Sequence, residues 1–277
     1  MNLNFKPEQP IGIFDSGIGG LTVARAITKL LPNEKIIYFG DTAHMPYGEK
    51  SAEAIKNYSI KIADFLINKQ CKAIIIACNT ASAAGYKAVV KNTGLKDLII
   101  NVIDPAVDYA VKKHKQKNIG IIGTKRTISS NVYAKRIQRK HTGNSVAQLA
   151  TPLLAPMIEE GFYNNKISQT IINSYLDKPK LKNIKALILG CTHYPLIKKQ
   201  IEKFYNKNVE VIDSSIVVAQ KVKQVLAKHH LLNTAKTKPI HEFFVSDYTK
   251  SFEETTHIFF DKKVKLKQMN IWSEFNK

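Results

Sequence analysis

The stretch AIIIACNTASA at residues 73–83 decides how this chain folds, and a second stretch, ALILGCTHYPL at residues 186–196, repeats its pattern. In each, a run of apolar residues ends in a cysteine, and small polar residues follow at once. An unbroken apolar run of this length is typical of a strand buried on both faces of a parallel sheet. Each stretch therefore predicts a buried strand whose carboxyl end carries a cysteine, Cys78 in one and Cys191 in the other.

Further apolar runs of the same character lie on either side of these two, and longer amphipathic stretches separate them. In the stretch NYSIKIADFLIN at 57–68, Ile60, Ala63, Leu66 and Ile67 recur at helical spacing. Strands that alternate with helices form right-handed βαβ units, so we expect an α/β fold, doubly wound, with mainly parallel sheets. The other predicted strands are IGIF (11–14), KIIYFG (35–40), LIINVI (98–103), NIGIIG (118–123) and VEVID (209–213).

The two halves of the chain also repeat each other. Three pairs of segments occur in the same order and at similar separations: 11–16 with 119–124, 73–78 with 186–191, and 102–105 with 211–214. Any one match is weak because all βα units look alike, but three in register indicate two pseudo-symmetric lobes. We expect one lobe before and one after about residue 104, with a cleft between them.

The tail from residue 214 begins with a helical pattern, SSIVVAQKVKQVLAKHH at 214–230. Three short strands are predicted after it: IHEFFVSD (240–247), HIFF (257–260) and VKLKQM (264–269). The polar stretch HLLNTAKTKP at 230–239 predicts a loop. The pattern alone leaves open whether the tail is a unit of its own or packs back on the first lobe.

The composition is that of a globular protein with enough apolar residues for a large core. The chain has 277 residues, 44% of them hydrophobic and 23% charged. The N-terminal stretch MNLNFKPEQP lacks the apolar segment of a signal peptide, and no apolar run reaches the roughly 18 residues of a membrane span. We therefore expect a cytoplasmic protein without membrane segments, whose three cysteines stay reduced.

The net charge of +20 raises the question of a nucleic-acid partner. The lysines, however, are scattered through predicted helices and loops and do not form a stripe with interleaved aromatic residues. This distribution favours a solvated lysine-rich surface over a nucleic-acid site.

The two cysteines carry the functional hypothesis. In open α/β sheets, ligands bind beyond the carboxyl ends of the strands, where Cys78 and Cys191 are predicted to lie. A helix that begins just after each cysteine would direct backbone N–H groups at the sulfur and lower the thiol pKa from about 8.5 toward neutrality. A single such cysteine is better explained as a small buried hydrophobic residue. Two at matching places favour a pair of acid/base groups facing one cleft, as two-base racemisation requires.

Other polar residues accompany them. The glycine-rich turn DSGIGGLTV at 15–23 places Asp15 and Ser16 where they can bind a substrate ammonium or carboxylate. The segment DTAHMPYGEKS at 41–51 contributes the turn at Tyr47. His193 can act as the partner of Cys191, and zinc is disfavoured because no second close-spaced ligand pair is present.

With these residues, the chain resembles the glutamate racemases over nearly its whole length. The motifs that carry the resemblance are IGIFDSGIGGLTV (11–23), YFGDTAHMPYGEKS (38–51), ACNTASA (77–83), GTKRTI (123–128) and GCTHYPLI (190–197). The resemblance implies a cofactor-independent, cytoplasmic racemase that binds glutamate, supplies D-glutamate for peptidoglycan, and is usually a homodimer. It also implies that the tail completes the first lobe, so that residues 1–103 with 214–277 form one lobe and residues 104–213 the other.

The resemblance assigns roles to individual residues. Cys78 would act on the D enantiomer with help from Asp15, and Cys191 on the L enantiomer with help from His193. One departure is His44, which stands where the family often has arginine. No metal ligand is implied. The residues expected to hold substrate are Asp15, Ser16, Tyr47, Gly48, Asn79, Thr80, Thr124, Glu159, Thr192 and His193.

Two alternatives remain open at this point. The same scaffold could racemise another acidic amino acid, such as aspartate. A thiol hydrolase that uses one Cys–His pair is the second, and the repeated cysteine disfavours it because such an enzyme needs only one.

Overall fold

The computed structural model describes residues 5–235 and 237–272. Its strands form a six-stranded sheet in the order β10-β9-β2-β1-β3-β4 and a four-stranded sheet in the order β6-β5-β7-β8, and all strand pairs are parallel. The strands are β1 Ile11–Asp15, β2 Ile36–Gly40, β3 Ala73–Ile76, β4 Ile99–Asn101, β5 Asn118–Gly123, β6 Ser145–Ala150, β7 Ala186–Gly190, β8 Glu210–Ile212, β9 Glu242–Val245 and β10 Leu266–Gln268.

Helices connect the strands throughout, which confirms the predicted α/β class. They are α1 Leu21–Leu30, α2 Ala52–Asn68, α3 Asn79–Ala84, α4 Tyr86–Thr93, α5 Ile103–Lys113, α6 Lys125–Ser129, α7 Val132–Gln138, α8 Leu154–Glu159, α9 Lys166–Leu176, α10 Lys198–Phe204, α11 Ser214–Lys228 and α12 Lys250–Phe260. Short 3₁₀ turns cover Thr42–His44, Tyr47–Glu49, Pro179–Leu181 and Tyr194–Ile197.

The two sheets are built alike. We call the six-stranded sheet with the elements on it lobe 1, and the four-stranded sheet with its elements lobe 2. In lobe 1 the central strand β1 pairs with β3, and in lobe 2 the central strand β5 pairs with β7. These four strands are almost fully buried because both faces of each sheet are covered. Cys78 lies just past the end of β3 and Cys191 just past β7, so each sulfur occupies the equivalent place in its lobe.

The tail returns to lobe 1. Strand β9 pairs with β2 and β10 pairs with β9, which extends the first sheet on the side away from β4. Helices α5 and α11 lie between the sheets, and both pack against β7 of lobe 2 while α11 also packs against α1 of lobe 1. Within the described residues, no helix is long and apolar enough to span a bilayer.

One secondary-structure prediction was wrong, and one strand was not predicted. The segment HIFF (257–260) is not a strand but the end of α12, because Thr256, Phe259 and Phe260 are buried at helical spacing and Thr249 caps the helix. Strand β6 was missed because it forms the edge of its sheet, is only partly buried and therefore lacks an apolar run.

A buried ion pair lies at the amino-terminal end of β3, away from the cysteines. Lys72 Nζ is 2.6 Å from Glu34 Oε2, and both side chains are almost completely buried. Lys72 also donates to the carbonyl oxygens of Pro7 and Leu231, and Glu34 Oε1 accepts from the Asn233 backbone N–H at 2.9 Å. The pair thus fastens the segment after α11 to lobe 1.

Candidate active site

A cavity of about 150 Å³ lies between the lobes at the carboxyl ends of the central strands. Both Cys78 and Cys191 line it, and each is almost fully buried. The other predicted site residues in its wall are Ser16, Tyr47, Gly48, Asn79, Thr80, Thr124, Glu159, Thr192 and His193. Asp15 is the one predicted residue that is not part of the wall.

Cys78 is the N-cap residue of α3, and its sulfur accepts the backbone N–H of Ala81 at 3.4 Å. The thiol also donates to Ser16 Oγ over 3.6 Å. Burial, reinforced by the nearby Asp15 carboxylate, raises the pKa of Cys78 to about 12. The expected lowering of this pKa was therefore wrong: one N–H contact at a short helix does not offset the loss of solvent.

Asp15 ends β1 and lies behind the glycine-rich turn. Its Oδ2 accepts the backbone N–H of Gly20 at 2.9 Å and that of Gly17 at 3.4 Å, while its buried Oδ1 has no partner among the described residues. Burial raises the pKa of Asp15 in spite of the opposing effect of His193. The carboxylate thus shapes the turn and acts on Cys78 through its charge.

Cys191 has a different local structure from Cys78. A 3₁₀ turn at Tyr194–Ile197 follows it, so the expected α-helix N-terminus is absent there. Its sulfur lies 3.7 Å from His193 Nδ1, and His193 Nε2 lies 2.8 Å from Glu159 Oε1, an ion pair with poor hydrogen-bond alignment. Burial lowers the pKa of His193, but Cys191 and Glu159 outweigh it and hold that pKa well above its usual value.

The loop before α2 supplies a second wall of the cavity. Tyr47 donates its hydroxyl to Asp41 Oδ2 at 2.6 Å, and Asp41 is fully buried. Asp41 also accepts from Ser246 at 2.8 Å and lies 2.9 Å from His44 Nδ1. His44, the departure noted above, therefore fills the place beside Asp41 with an imidazole that stacks on Tyr58.

The lobes touch around the cavity through hydrogen bonds between polar groups. A methyl group on Gly48 of lobe 1 would come within 3.2 Å of Thr124 of lobe 2, so the two lobes are in close contact at this side of the cavity. Bonds that join the lobes include Thr22 Oγ1 to Thr192 O (2.9 Å), Tyr133 OH to Asn79 Oδ1 (2.6 Å), Thr80 Oγ1 with Thr124 Oγ1 (3.0 Å) and Arg126 Nε to Lys50 O (3.0 Å).

Some wall residues were not among the predicted site residues. Met45 and Pro46 line the cavity. Both lie in the segment DTAHMPYGEKS (41–51) beside Tyr47, so this position in the sequence could have indicated them. Ala155 and Pro156 of α8 also line it, and their apolar side chains gave no signal in the sequence. Among the described residues, no group of three or more His, Cys, Asp or Glu side chains is arranged to hold a metal.

The arrangement suits acid/base chemistry on a small polar molecule. Two thiols from equivalent places in the two lobes share one cavity, and Cys191 contributes to the raised pKa of Cys78. Hydroxyl, amide and imidazole groups surround them, and such groups can hold carboxylates and stabilise charge that develops during a reaction.

Comparison with known proteins agrees with this chemistry. Residues 17–222 match the family model described as Asp/Glu/Hydantoin racemase. A glutamate racemase of Chlorobaculum parvum is 42% identical over 250 residues, which cover 90% of this chain and 92% of the relative. The crystal structure of the Francisella tularensis glutamate racemase in complex with D-glutamate has a TM-score of 0.89 at 39% identity and covers 96% of this chain and 99% of its own. A glutamate racemase isoform of Bacillus anthracis has a TM-score of 0.90 at 33% identity, with 95% and 98% coverage.

Proposed function

Because the chain belongs to the Asp/Glu/hydantoin racemase family, we propose that it interconverts L-glutamate and D-glutamate by acid/base catalysis without a cofactor. The observation that carries the mechanism is the presence of Cys78 and Cys191 in the wall of one interlobe cavity. One sulfur removes the α-proton from one face of the carbon, and the other thiol returns a proton to the opposite face. No covalent bond between sulfur and substrate is needed.

Each thiol works with its own partner. Cys78 acts on the D enantiomer, and the charge of Asp15 adds to burial in raising the pKa of this thiol. Cys191 acts on the L enantiomer, and the nearby His193 can exchange a proton with it across 3.7 Å. The ion pair with Glu159 holds the imidazole in place for this exchange.

The remaining wall residues bind the substrate. The α-proton of an amino acid is very weakly acidic, so hydrogen-bond donors must stabilise the charge that develops on the α-carboxylate. Closed lobes exclude water and strengthen these contacts. The donors proposed for this role are the side chains of Ser16, Tyr47, Asn79, Thr80, Thr124, Thr192 and His193 and the backbone N–H of Gly48. The carboxylates of Glu159 in the wall and of Asp15 behind it carry negative charge and attract the substrate ammonium instead.

The family context extends the proposal beyond the reaction. The D-glutamate serves peptidoglycan synthesis in the cytoplasm, and the enzyme acts as a homodimer. The lobes comprise residues 1–103 with 214–277 and residues 104–213. The return of β9 to β2 supports the assignment of the tail to the first of these.

Circular dichroism of L- and D-glutamate solutions tests the function without any added cofactor. The wild type should convert either enantiomer to the racemate, whereas Cys78→Ala and Cys191→Ala should each lose racemisation in both directions. Cys71→Ala is the matched control, because Cys71 is also a buried free cysteine but does not line the cavity. Substantial racemisation by either of the first two variants would refute the two-thiol mechanism.

Aspartate run in parallel separates the remaining alternatives. Faster conversion of D-aspartate than of D-glutamate would assign the site to the smaller substrate. A trapped acyl-enzyme on Cys191, with Cys78 dispensable, would instead indicate a thiol hydrolase.

A further inference from the structure

A buried phenol joins the two lobes at the substrate cavity. Tyr133 belongs to α7 of lobe 2 and is fully buried, and its hydroxyl donates to Asn79 Oδ1 of lobe 1 at 2.6 Å. Its ring packs near Gly190, the residue before Cys191, where a methyl group would lie 3.5 Å from Tyr133 Cε2. Tyr133 itself is not part of the cavity wall, whereas Asn79 is.

This bond determines which end of the Asn79 amide is available to a ligand. The Tyr133 hydroxyl donates to Asn79 Oδ1. Burial raises the pKa of Tyr133 well above its usual value in spite of the opposing effect of Ser214, so the phenol keeps the proton that this bond needs. Because Asn79 Oδ1 accepts the Tyr133 proton, the NH₂ group of Asn79 is free to donate to a ligand. A carboxylate substrate accepts hydrogen bonds only, so the orientation with NH₂ available is the one it can use.

We propose that Tyr133 is a positioning residue for racemisation, which fixes the side-chain amide of Asn79 so that its NH₂ group serves the substrate carboxylate. The inference rests on the proposed function and deepens it. Because the phenol and the amide belong to different lobes, the orientation is set only when the lobes are together. Closure therefore completes the binding wall in addition to excluding water.

The variant Tyr133→Phe removes the hydroxyl and retains the ring against Gly190. We expect kcat/KM for both glutamate enantiomers to fall about tenfold, the effect of one oriented hydrogen bond. Tyr194→Phe is the control. Tyr194 is equally buried in lobe 2 and close to Cys191, but its hydroxyl bonds with Thr151 of the same lobe, so kcat/KM should change less than twofold.

A double-mutant cycle separates positioning from general support of the fold. If Tyr133 acts through Asn79, Tyr133→Phe should change kcat/KM less than twofold when it is added to Asn79→Ala. A merely structural role predicts the same tenfold loss in both backgrounds. An unchanged single variant, or losses that multiply in the double variant, would overturn the proposal.

Two further measurements keep the result interpretable. The rise in melting temperature with saturating D-glutamate is measured for each protein against its own baseline, so a less stable variant still reports on binding. That rise should be smaller for Tyr133→Phe than for wild type, and an equal rise would count against the proposal. Wild-type racemisation in the same series tests the proposed function separately.

Discussion

Gly19 of lobe 1 faces His193 of lobe 2 so closely that a methyl group on Gly19 would lie 2.4 Å from His193 Cε1. The same methyl group would lie 2.7 Å from Thr192 Oγ1. Neither neighbour can yield easily, since both are buried and His193 is held by Glu159. The absence of a side chain at residue 19 therefore allows the lobes to meet at the histidine.

Gly19→Ala should keep the lobes from closing fully. We expect kcat/KM to fall by about a hundredfold or more, since misplacement of a catalytic group by about 1 Å can have an effect of this size. The melting temperature should change little, because the clash is relieved when the lobes separate. Gly17→Ala is the control: its methyl group would meet nothing nearer than Met45 Sδ at 3.5 Å. Equal activity of the two variants would contradict this account of closure.

Asp15→Asn should make Cys78 more reactive toward alkylation. The Asp15 carboxylate raises the pKa of Cys78, so its removal lowers that pKa and increases the thiolate fraction at pH 8. Asparagine keeps an oxygen that can accept the N–H groups of Gly17 and Gly20. The rate of Cys78 modification by iodoacetamide, followed by peptide mass spectrometry, should rise several-fold. A slower rate in the variant would show that the Asp15 carboxylate does not raise the pKa of Cys78.

Glu159→Gln should remove part of the stability that depends on protonated His193. Although burial opposes it, the carboxylate helps raise the pKa of His193 above its ordinary value of about 6.5. A raised pKa in the folded state stabilises the protein fully below about pH 6.5, and this contribution is lost as the pH rises through the folded value. The difference in melting temperature between wild type and variant should therefore be largest near pH 6 and shrink toward pH 9. A difference that grows with pH would have the wrong sign.

Lys72→Met should destabilise the protein by about 3–5 kcal/mol, because it leaves the Glu34 carboxylate buried and unpaired. The double variant Lys72→Met with Glu34→Gln should recover much of this loss, since it removes the buried charge and keeps an acceptor for the Asn233 N–H. Urea unfolding of the four proteins in the cycle gives both values. Equal destabilisation by the single and double variants would show that the uncompensated charge is not the cause.

Much of the architecture could be predicted because the central strands have unambiguous patterns. β1, β3, β5 and β7 are continuous apolar runs, and their carboxyl ends locate a ligand site in any doubly wound sheet. β6 could not be found in this way, since an edge strand needs no apolar run. The prediction for HIFF (257–260) was wrong because its three consecutive apolar residues fit either a strand or the buried face of a helix.

For the two cysteines, the sequence predicts their place in the fold but not the pKa of the thiols. Their shared setting could be inferred from local sequence, but the pKa of Cys78 depends on its burial and on Asp15, which is distant in the chain. Tertiary packing also decides the role of Ala155 and Pro156, which reach the cavity only because α8 packs against it. Local patterns thus locate a site, whereas its electrostatics follow from tertiary contacts.

The position of β9 fixes an order of assembly during synthesis. All four strands of lobe 2 lie between residues 118 and 212, so that lobe can fold while the chain is still emerging from the ribosome. The outer edge of β2 stays unpaired until residues 242–245 are made, and Ser246 then reaches Asp41, which anchors Tyr47. Lobe 2 can therefore fold before the sheet of lobe 1 is complete, and premature termination before residue 242 leaves the edge of β2 open and prone to aggregation.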